Sequence, residues 1–178
     1  MRKLIVSMMV SIDGFIEGPN KELDYFTDDD RLMDYFDDII DEVELFIYGR
    51  KSYELMIQYW PKAEGRFAEK MNKKRKLIFS RSLKQVTWNS ELISGDTSGI
   101  INELKNKPGK DLVLFAGADI LSTFIKLNLV DEFRLITYPV VLGKGTPLFK
   151  DVSGPFLLKK LRTENFDNGC VLNVYLPQ

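Results

Sequence analysis

The chain has 178 residues, 44% of them hydrophobic and 12% aromatic, a length that suits about one domain whose core needs no disulfide or structural metal. It contains no histidine and a single cysteine, Cys170, which excludes Ser-His-Asp and Cys-His catalysis, imidazole zinc sites and an intramolecular disulfide. The formal net charge of -1 offers no general positive field for non-specific binding of nucleic acid. Because there is no apolar run of about 18 residues and no charged-then-apolar leader, we expect a cytoplasmic protein that does not bind membranes.

A strand and an amphipathic helix open the chain. Residues 3–10 form a short apolar run rich in strand formers, and the Asp13-Gly14 turn that follows predicts a buried strand. From about Thr27 onward, apolar residues recur at spacings of three and four among acidic residues. This pattern predicts a helix with Thr27 or Asp28 as its N-cap.

Alternation of short apolar runs with helical periods continues through the middle of the chain. The predicted strands cover residues 45–48, 76–79, 112–115 and 132–141, with small strands at 86–88 and 92–94. Helices are predicted after the first of these to about Tyr59, where Pro61 stops the helix, from Asp96 or Thr97 to about Asn106, and from about Ile120 to Leu127.

The last two strands are predicted to form a hairpin. Residues 156–166 and 170–176 flank Asp167-Asn168-Gly169, and Asn and Gly tolerate the positive φ that a tight turn requires. Alternating strands and helices imply a mostly parallel central sheet with helices on both faces. We therefore predict an α/β fold, a three-layer sandwich with an added C-terminal antiparallel hairpin, as one domain over residues 1–178.

Strand-to-helix turns are the expected binding positions, because open α/β sheets bind ligands beyond the carboxyl ends of their strands. Gly49 ends one predicted strand, and Arg50, Lys51 and Ser52 begin the next helix. Free N–H groups at a helix start and two cations would attract a phosphate. An ordinary turn with solvated cations is the alternative.

Two more turns have a composition that suits phosphate binding. Residues 80–82 place Arg81 between two serines, and a guanidinium suits a 2′-phosphate, as in dinucleotide enzymes that prefer NADP. Residues 116–119 are small enough to let backbone approach a pyrophosphate, although they do not fit the GxGxxG pattern. In isolation, each is equally explained as a polar or small-residue turn.

Six segments, taken in chain order, carry a family resemblance over nearly the whole sequence. They are SIDGFI at 11–16, GRKSYE at 49–54, YWP at 59–61, FSRSL at 79–83, LVDEFRL at 129–135 and PVVLGKGTPLF at 139–149. Together they resemble the dihydrofolate reductase-like proteins. The closest resemblance is to the reductase domain at the C-terminus of the bifunctional riboflavin-biosynthesis deaminase-reductase.

That resemblance implies NADPH as the cofactor and a set of residues that hold it. The implied cofactor-binding residues are Gly49, Arg50, Lys51, Ser52, Ser80, Arg81, Gly117, Ala118, Asp119, Ile120 and Leu121. Dihydrofolate reductases carry adjacent glycines joined by a cis peptide at the third turn, whereas this chain has Ala116-Gly117, which leaves that peptide's isomer open. The resemblance also implies a homodimer.

Reduction of a C=N bond or a ribosyl carbonyl also needs a proton source, and in a chain without histidine the carboxylates are the first candidates for the proton donor. Asp13 is the preferred candidate and Asp30 the second, with turn chemistry and a helix N-terminus as their structural alternatives. Phe15, Tyr53 and Trp60 are candidates to wall a flat heterocycle, with core packing as the alternative.

The expected activity is NADPH-dependent reduction of a small heterocycle, resembling 5-amino-6-(5-phosphoribosylamino)uracil reductase of riboflavin biosynthesis. Two alternatives stay open: a dihydrofolate or pterin reductase, and a non-catalytic nucleotide-binding protein of the same fold. We expect a small-molecule partner, no metal and no nucleic acid, because the basic run from Lys70 to Lys76 suits a solvated face in an acidic chain.

Overall fold

The computed structural model describes residues 1–27 and 29–178, and ten strands lie in this part of the chain, eight of them in one sheet and two in a separate pair. The strands are β1 (Leu4–Ser11), β2 (Phe15–Glu17), β3 (Val43–Gly49), β4 (Arg75–Phe79), β5 (Ser90–Ile93), β6 (Asp111–Ala116), β7 (Glu132–Tyr138), β8 (Thr146–Pro147), β9 (Leu158–Asn165) and β10 (Val171–Pro177). The helices are α1 (Asp30–Glu42), α2 (Arg50–Tyr59), α3 (Arg66–Lys73), α4 (Thr97–Asn106) and α5 (Ala118–Lys126), with a 3₁₀ turn at Trp60–Lys62.

Strand order in the large sheet is β5-β4-β3-β6-β1-β7-β10-β9. The pairs from β5 to β7 are parallel, and β10 pairs antiparallel with both β7 and β9. Strands β2 and β8 form a separate antiparallel pair. The parallel order brings the carboxyl ends of β5, β4, β3, β6 and β1 to one edge of the sheet.

Both faces of the sheet are covered by helices. Leu4 and Val6 pack in one apolar cluster with residues of α4 and α5, whereas Ile5 between them packs in a second cluster with residues of α1, α2 and α3. Successive side chains of a strand point to opposite faces, so the two clusters lie on opposite sides of β1. The predicted three-layer α/β sandwich with a mostly parallel sheet and a C-terminal hairpin is confirmed.

The N-cap of α1 differs from the prediction. Asp29 caps the helix, since its carboxylate accepts bonds from the N–H groups of Leu32 at 2.7 Å and Asn168 at 2.8 Å. The prediction of Thr27 is therefore wrong, and Asp28 lies outside the described residues. Asp29 ties the helix start to the C-terminal hairpin turn, a contact across the chain that local sequence does not reveal.

Two local predictions fail in the middle of the chain, and one small pair of strands elsewhere was not predicted. The basic run at 70–76 is not solvated throughout, because Lys76 is completely buried in β4. Residues 86–88 do not form a strand, because Trp88 has a φ of 65° that an extended strand does not allow. The small β2–β8 pair was not predicted, since each strand is only two or three residues long. In the part of the chain that the structure describes, no helix combines the length and the apolar character that crossing a bilayer requires.

Lys76 of β4 is completely buried, with 0% of its surface exposed. Its ammonium donates to the carbonyl oxygens of Met71 at 2.8 Å and Lys74 at 2.6 Å, and lies 4.0 Å from the centre of the Trp88 ring. These carbonyls end α3, where the helix dipole is negative, so the cation caps the helix. Burial lowers the pKa of Lys76 to about 8.

We expect substitution Lys76→Met to change the pH dependence of stability. Because the folded pKa lies below the ordinary value of 10.5, the folded state binds fewer protons between these values, and wild-type stability gains from this group as pH rises through that window. The variant lacks this gain, which is up to about 3 kcal/mol. Urea unfolding at pH 7 and pH 10 measures the difference.

Lys84→Met is the control, since Lys84 is exposed and its substitution leaves the pH dependence as in wild type. If the stability of Lys76→Met changed between pH 7 and pH 10 by as much as that of wild type, the result would contradict the burial of a charged Lys76.

Candidate active site

A groove of about 850 Å³ runs along the sheet edge where the parallel strands end. At one end it is lined by Phe79 and Ser80, where β4 ends, and by Ile93, Ser94 and Gly95, where β5 ends. Its middle is lined by the turns after β3 and β6, and its other end by Met8 and Met9 of β1. The groove therefore crosses five neighbouring strands, as expected for a binding site in an open α/β sheet.

The first and third turns pack directly against each other in the middle of the groove. Gly117 has a φ of +108°, and a Cβ there would lie 2.9 Å from Ser52 Oγ and 3.1 Å from Ile120 Cγ2. A Cβ on Gly49 would lie 3.4 Å from the Ile120 side chain. This contact brings the N-termini of α2 and α5, with their unpaired N–H groups, to the same part of the groove. No described residue forms a cis peptide, so the Ala116–Gly117 bond is trans.

The second turn is ordered by its own serine. Ser80 Oγ accepts bonds from the N–H groups of Ser82 at 3.2 Å and Leu83 at 3.1 Å. Arg81 is exposed at the tip of this turn and lines the groove. Its guanidinium forms no ion pair with any described residue, so its charge faces the groove without a neutralising carboxylate.

The cations in the middle of the groove are paired. Arg50 bonds Glu54 at 3.0 Å on the same helix, and Asp119 bonds Lys150 at 2.5 Å and Lys51 at 2.9 Å. The hydrogen bonds from Lys150 and Lys51 hold the pKa of Asp119 below its usual range. Asp119 thus links α2, α5 and the segment after β8 through one carboxylate.

Most of the predicted cofactor-binding residues line this one groove. They are Gly49, Arg50, Lys51, Ser52, Ser80, Arg81, Gly117, Ala118, Asp119 and Ile120. Leu121 does not, because its side chain is fully buried in the core and its N–H donates to Gly117 O within α5. Contact with a cofactor stays a prediction for each of them.

The two predicted proton donors lie outside the groove lining. Asp13 accepts bonds from Ser11 Oγ at 2.7 Å and from the N–H groups of Leu142 at 3.1 Å and Gly143 at 2.7 Å. The Ser11 bond and these backbone bonds lower the pKa of Asp13. Through the same hydrogen bonds, Asp13 connects the end of β1 to the loop after β7. Asp30 is exposed in the first turn of α1. The structure does not bring either carboxylate to the groove.

The three predicted aromatic residues also lie elsewhere. Tyr53 is buried and its hydroxyl accepts a bond from Thr87 N–H at 2.9 Å, while the Trp60 ring packs on Phe67. Phe15 donates its N–H to Ser11 and does not line the groove. The apolar wall is instead formed by Met8, Met9, Ile16, Met56 and Phe115.

Sequence reasoning missed several groove residues. Ser94, Gly95 and Thr97 form a fourth strand-to-helix turn, and their small size at the end of a predicted strand was a usable signal. Glu17 and Thr146 line the groove from β2 and β8. No local pattern marks them, because their position depends on pairing between segments 129 residues apart.

The sheet order, the C-terminal hairpin and the groove at the strand ends define a dihydrofolate reductase-like α/β protein. More particularly, the chain belongs to the RibD C-terminal domain family, whose family model matches residues 2–172. The predicted family resemblance is thereby confirmed, and the match supports a reductase of this family.

Three known proteins illustrate the relationship. The uncharacterized protein YyaP of Bacillus subtilis (strain 168) is 41% identical over 179 residues, which cover 98% of this chain and 94% of YyaP. A Shewanella sp. PV-4 protein named for riboflavin biosynthesis is 20% identical, with a TM-score of 0.83 and 99% of each chain covered. Dihydrofolate reductase from Enterococcus faecalis, complexed with NADP(H), is 11% identical, with a TM-score of 0.69 and coverage of 99% and 96%. The two structural matches show the shared fold.

We expect Gly117→Ala to lower the stability of the protein by more than the strain of placing alanine at a positive φ would explain. The added Cβ meets Ser52 and Ile120 and also forces an L-residue into positive φ, together costing about 1–3 kcal/mol. Gly65→Ala is the matched control, since Gly65 also caps a helix at a φ of +98° but has no atom within 4 Å of its Cβ position. Thermal unfolding of both variants measures the contact; equal losses would show that the two turns do not constrain each other.

Proposed function

We propose that this protein is an NADPH-dependent oxidoreductase that reduces a small nitrogen heterocycle. The observation that carries the proposal is that Arg50, Arg81 and Gly117, from three separate turns, line one groove. An extended anionic cofactor is the ligand that requires such an arrangement, since a small uncharged ligand would contact only one or two of these turns.

The groove fits a dinucleotide at its anion-binding positions. Gly117 lines the groove where the N-termini of α2 and α5 meet, and the free N–H groups of these two helices would bind a pyrophosphate there. Unpaired Arg81 beside Ser80 suits the 2′-phosphate that distinguishes NADPH from NADH. The shared fold with a dihydrofolate reductase complexed with NADP(H) supports the same choice.

When bound, NADPH would supply the hydride, and the chain would supply binding, position and surroundings. Met8, Met9, Ile16 and Phe115 offer an apolar wall that excludes water from a flat ring. Asp13 accepts three hydrogen bonds within the protein and does not line the groove, so the proton that must accompany the hydride would come from another side chain or from an ordered water.

An aminopyrimidine or a pterin is the substrate class that we propose, with 5-amino-6-(5-phosphoribosylamino)uracil as the nearest example within the family resemblance. Such rings are flat and match the apolar wall, while their amino groups match the few polar groups beside it. The homodimer that the resemblance implies and the cytoplasmic location expected from the sequence remain part of this proposal.

We expect Arg81→Ala to weaken binding of NADPH by about 10- to 100-fold and binding of NADH by much less, because a guanidinium paired with the 2′-phosphate makes charge-assisted bonds that NADH cannot form. Titration that follows nicotinamide fluorescence gives both dissociation constants. Lys84→Ala is the control, an exposed cation three residues away that does not line the groove.

Equal losses for the two cofactors would contradict the role of Arg81. A wild-type protein that binds neither NADPH nor NADP⁺ would overturn the proposed function. Binding without NADPH oxidation in the presence of aminopyrimidines, pterins or dihydrofolate would indicate the non-catalytic nucleotide-binding alternative.

A further inference from the structure

Three carboxylates line the groove, and one of them has no cationic partner. Glu54 is paired with Arg50, and Asp119 is paired with Lys51 and Lys150. Glu17 forms no ion pair with any residue that the structure describes. Its negative charge is therefore available to a ligand, whereas the other two carboxylates are neutralised by the protein.

Glu17 is held in place by neutral contacts. Thr146 Oγ1 donates to Glu17 Oε1 at 2.6 Å across the β2–β8 pair. Gly145, at a φ of +151°, lies so close to the Glu17 carbonyl that a side chain there would collide with it. These contacts fix the strand and orient one carboxylate oxygen, so the second oxygen retains its capacity to accept N–H bonds.

Position along the groove separates Glu17 from the anion-binding turns. Glu17 lies on β2, which follows β1 and contacts it, and Met8 and Met9 of β1 line the same groove, whereas Arg81 follows β4. The sheet order places β3 and β6 between β4 and β1, a separation of three strand spacings or roughly 14 Å. A cofactor with its phosphates near Arg81 would extend toward the methionines, and the substrate would then lie beside Glu17.

We propose that Glu17, oriented by Thr146, is the specificity-determining residue that binds the amino-substituted edge of the heterocycle. This inference rests on the proposed function, and it names a residue and a chemical group that the function alone does not specify. Aminopyrimidines and aminopterins present a ring N–H or protonated ring nitrogen beside an exocyclic amino group, which matches two carboxylate lone pairs. The apolar wall nearby strengthens this charge-assisted pairing by lowering the local dielectric. Thr146 acts as a positioning residue.

The same arrangement would allow the protein to discriminate between substrates by the groups that they carry at this edge of the ring. A ring with carbonyl or methyl groups at this edge would leave the carboxylate of Glu17 without donors when the substrate excludes water. Substrates with two adjacent N–H donors should therefore be preferred, whatever else the ring carries.

The test uses 2,4-diaminopyrimidine as the probe and 2,4-dimethylpyrimidine, which has the same shape without amino donors, as the matched ligand. Calorimetry on the full chain, with and without saturating NADP⁺, gives the dissociation constants for wild type, Glu17→Gln, Thr146→Val and the exposed control Glu64→Gln. We expect wild type to prefer the diamino ring by about tenfold or more, and Glu17→Gln to lose that preference. Thr146→Val should lose part of it, and Glu64→Gln none.

NADPH affinity is measured for each variant as a separate readout, and we expect it to be unchanged by Glu17→Gln. A wild-type protein that does not distinguish the two rings, a Glu17→Gln variant that keeps the preference, or a parallel loss of NADPH affinity would each overturn the inference. Failure of NADPH binding together with a Glu17-dependent ring preference would instead refute the proposed cofactor and leave the substrate contact standing.

Discussion

Close packing between the turns after β3 and β6 is the constraint on which the groove depends. These strands are neighbours in the sheet, and the absence of side chains at Gly49 and Gly117 allows Ser52 and Ile120 to fill the space between them. Two helix N-termini are thereby brought together at the strand ends, an arrangement that would suit a single anionic ligand. A side chain at position 117 would collide with Ser52 and Ile120.

Charge pairing divides the groove into regions with different roles. In the middle, Asp119 forms ion pairs with Lys51 and Lys150, and these ion pairs connect α5 to α2 and to the segment after β8. At the ends, Arg81 and Glu17 lack ion-pair partners among the described residues and offer opposite charges to a ligand. A molecule that carries a phosphate at one end and lies beside an amino-substituted ring at the other would satisfy both.

Local sequence patterns predicted the fold and much of the groove. The strand-helix alternation, the Asn168-Gly169 hairpin turn and the three binding turns are local features, because each depends on residues a few positions apart. Glu17 was missed because its place depends on pairing with Thr146, 129 residues away. Asp13 stays a prediction as a proton donor, and the sequence does not show that its carboxylate accepts hydrogen bonds from the N–H groups of residues 142 and 143. The family resemblance also implied Leu121, whose side chain is completely buried in the core and does not line the groove.

A crystal structure of the protein soaked with NADPH would test the central claim most directly. We expect the 2′-phosphate to contact Arg81, the pyrophosphate to lie at the Gly117 turn, and the nicotinamide to lie near Met8 with space beside Glu17 for a flat ring. Density for the cofactor outside this groove, or within it but with no phosphate near Arg81 or Gly117, would contradict the account.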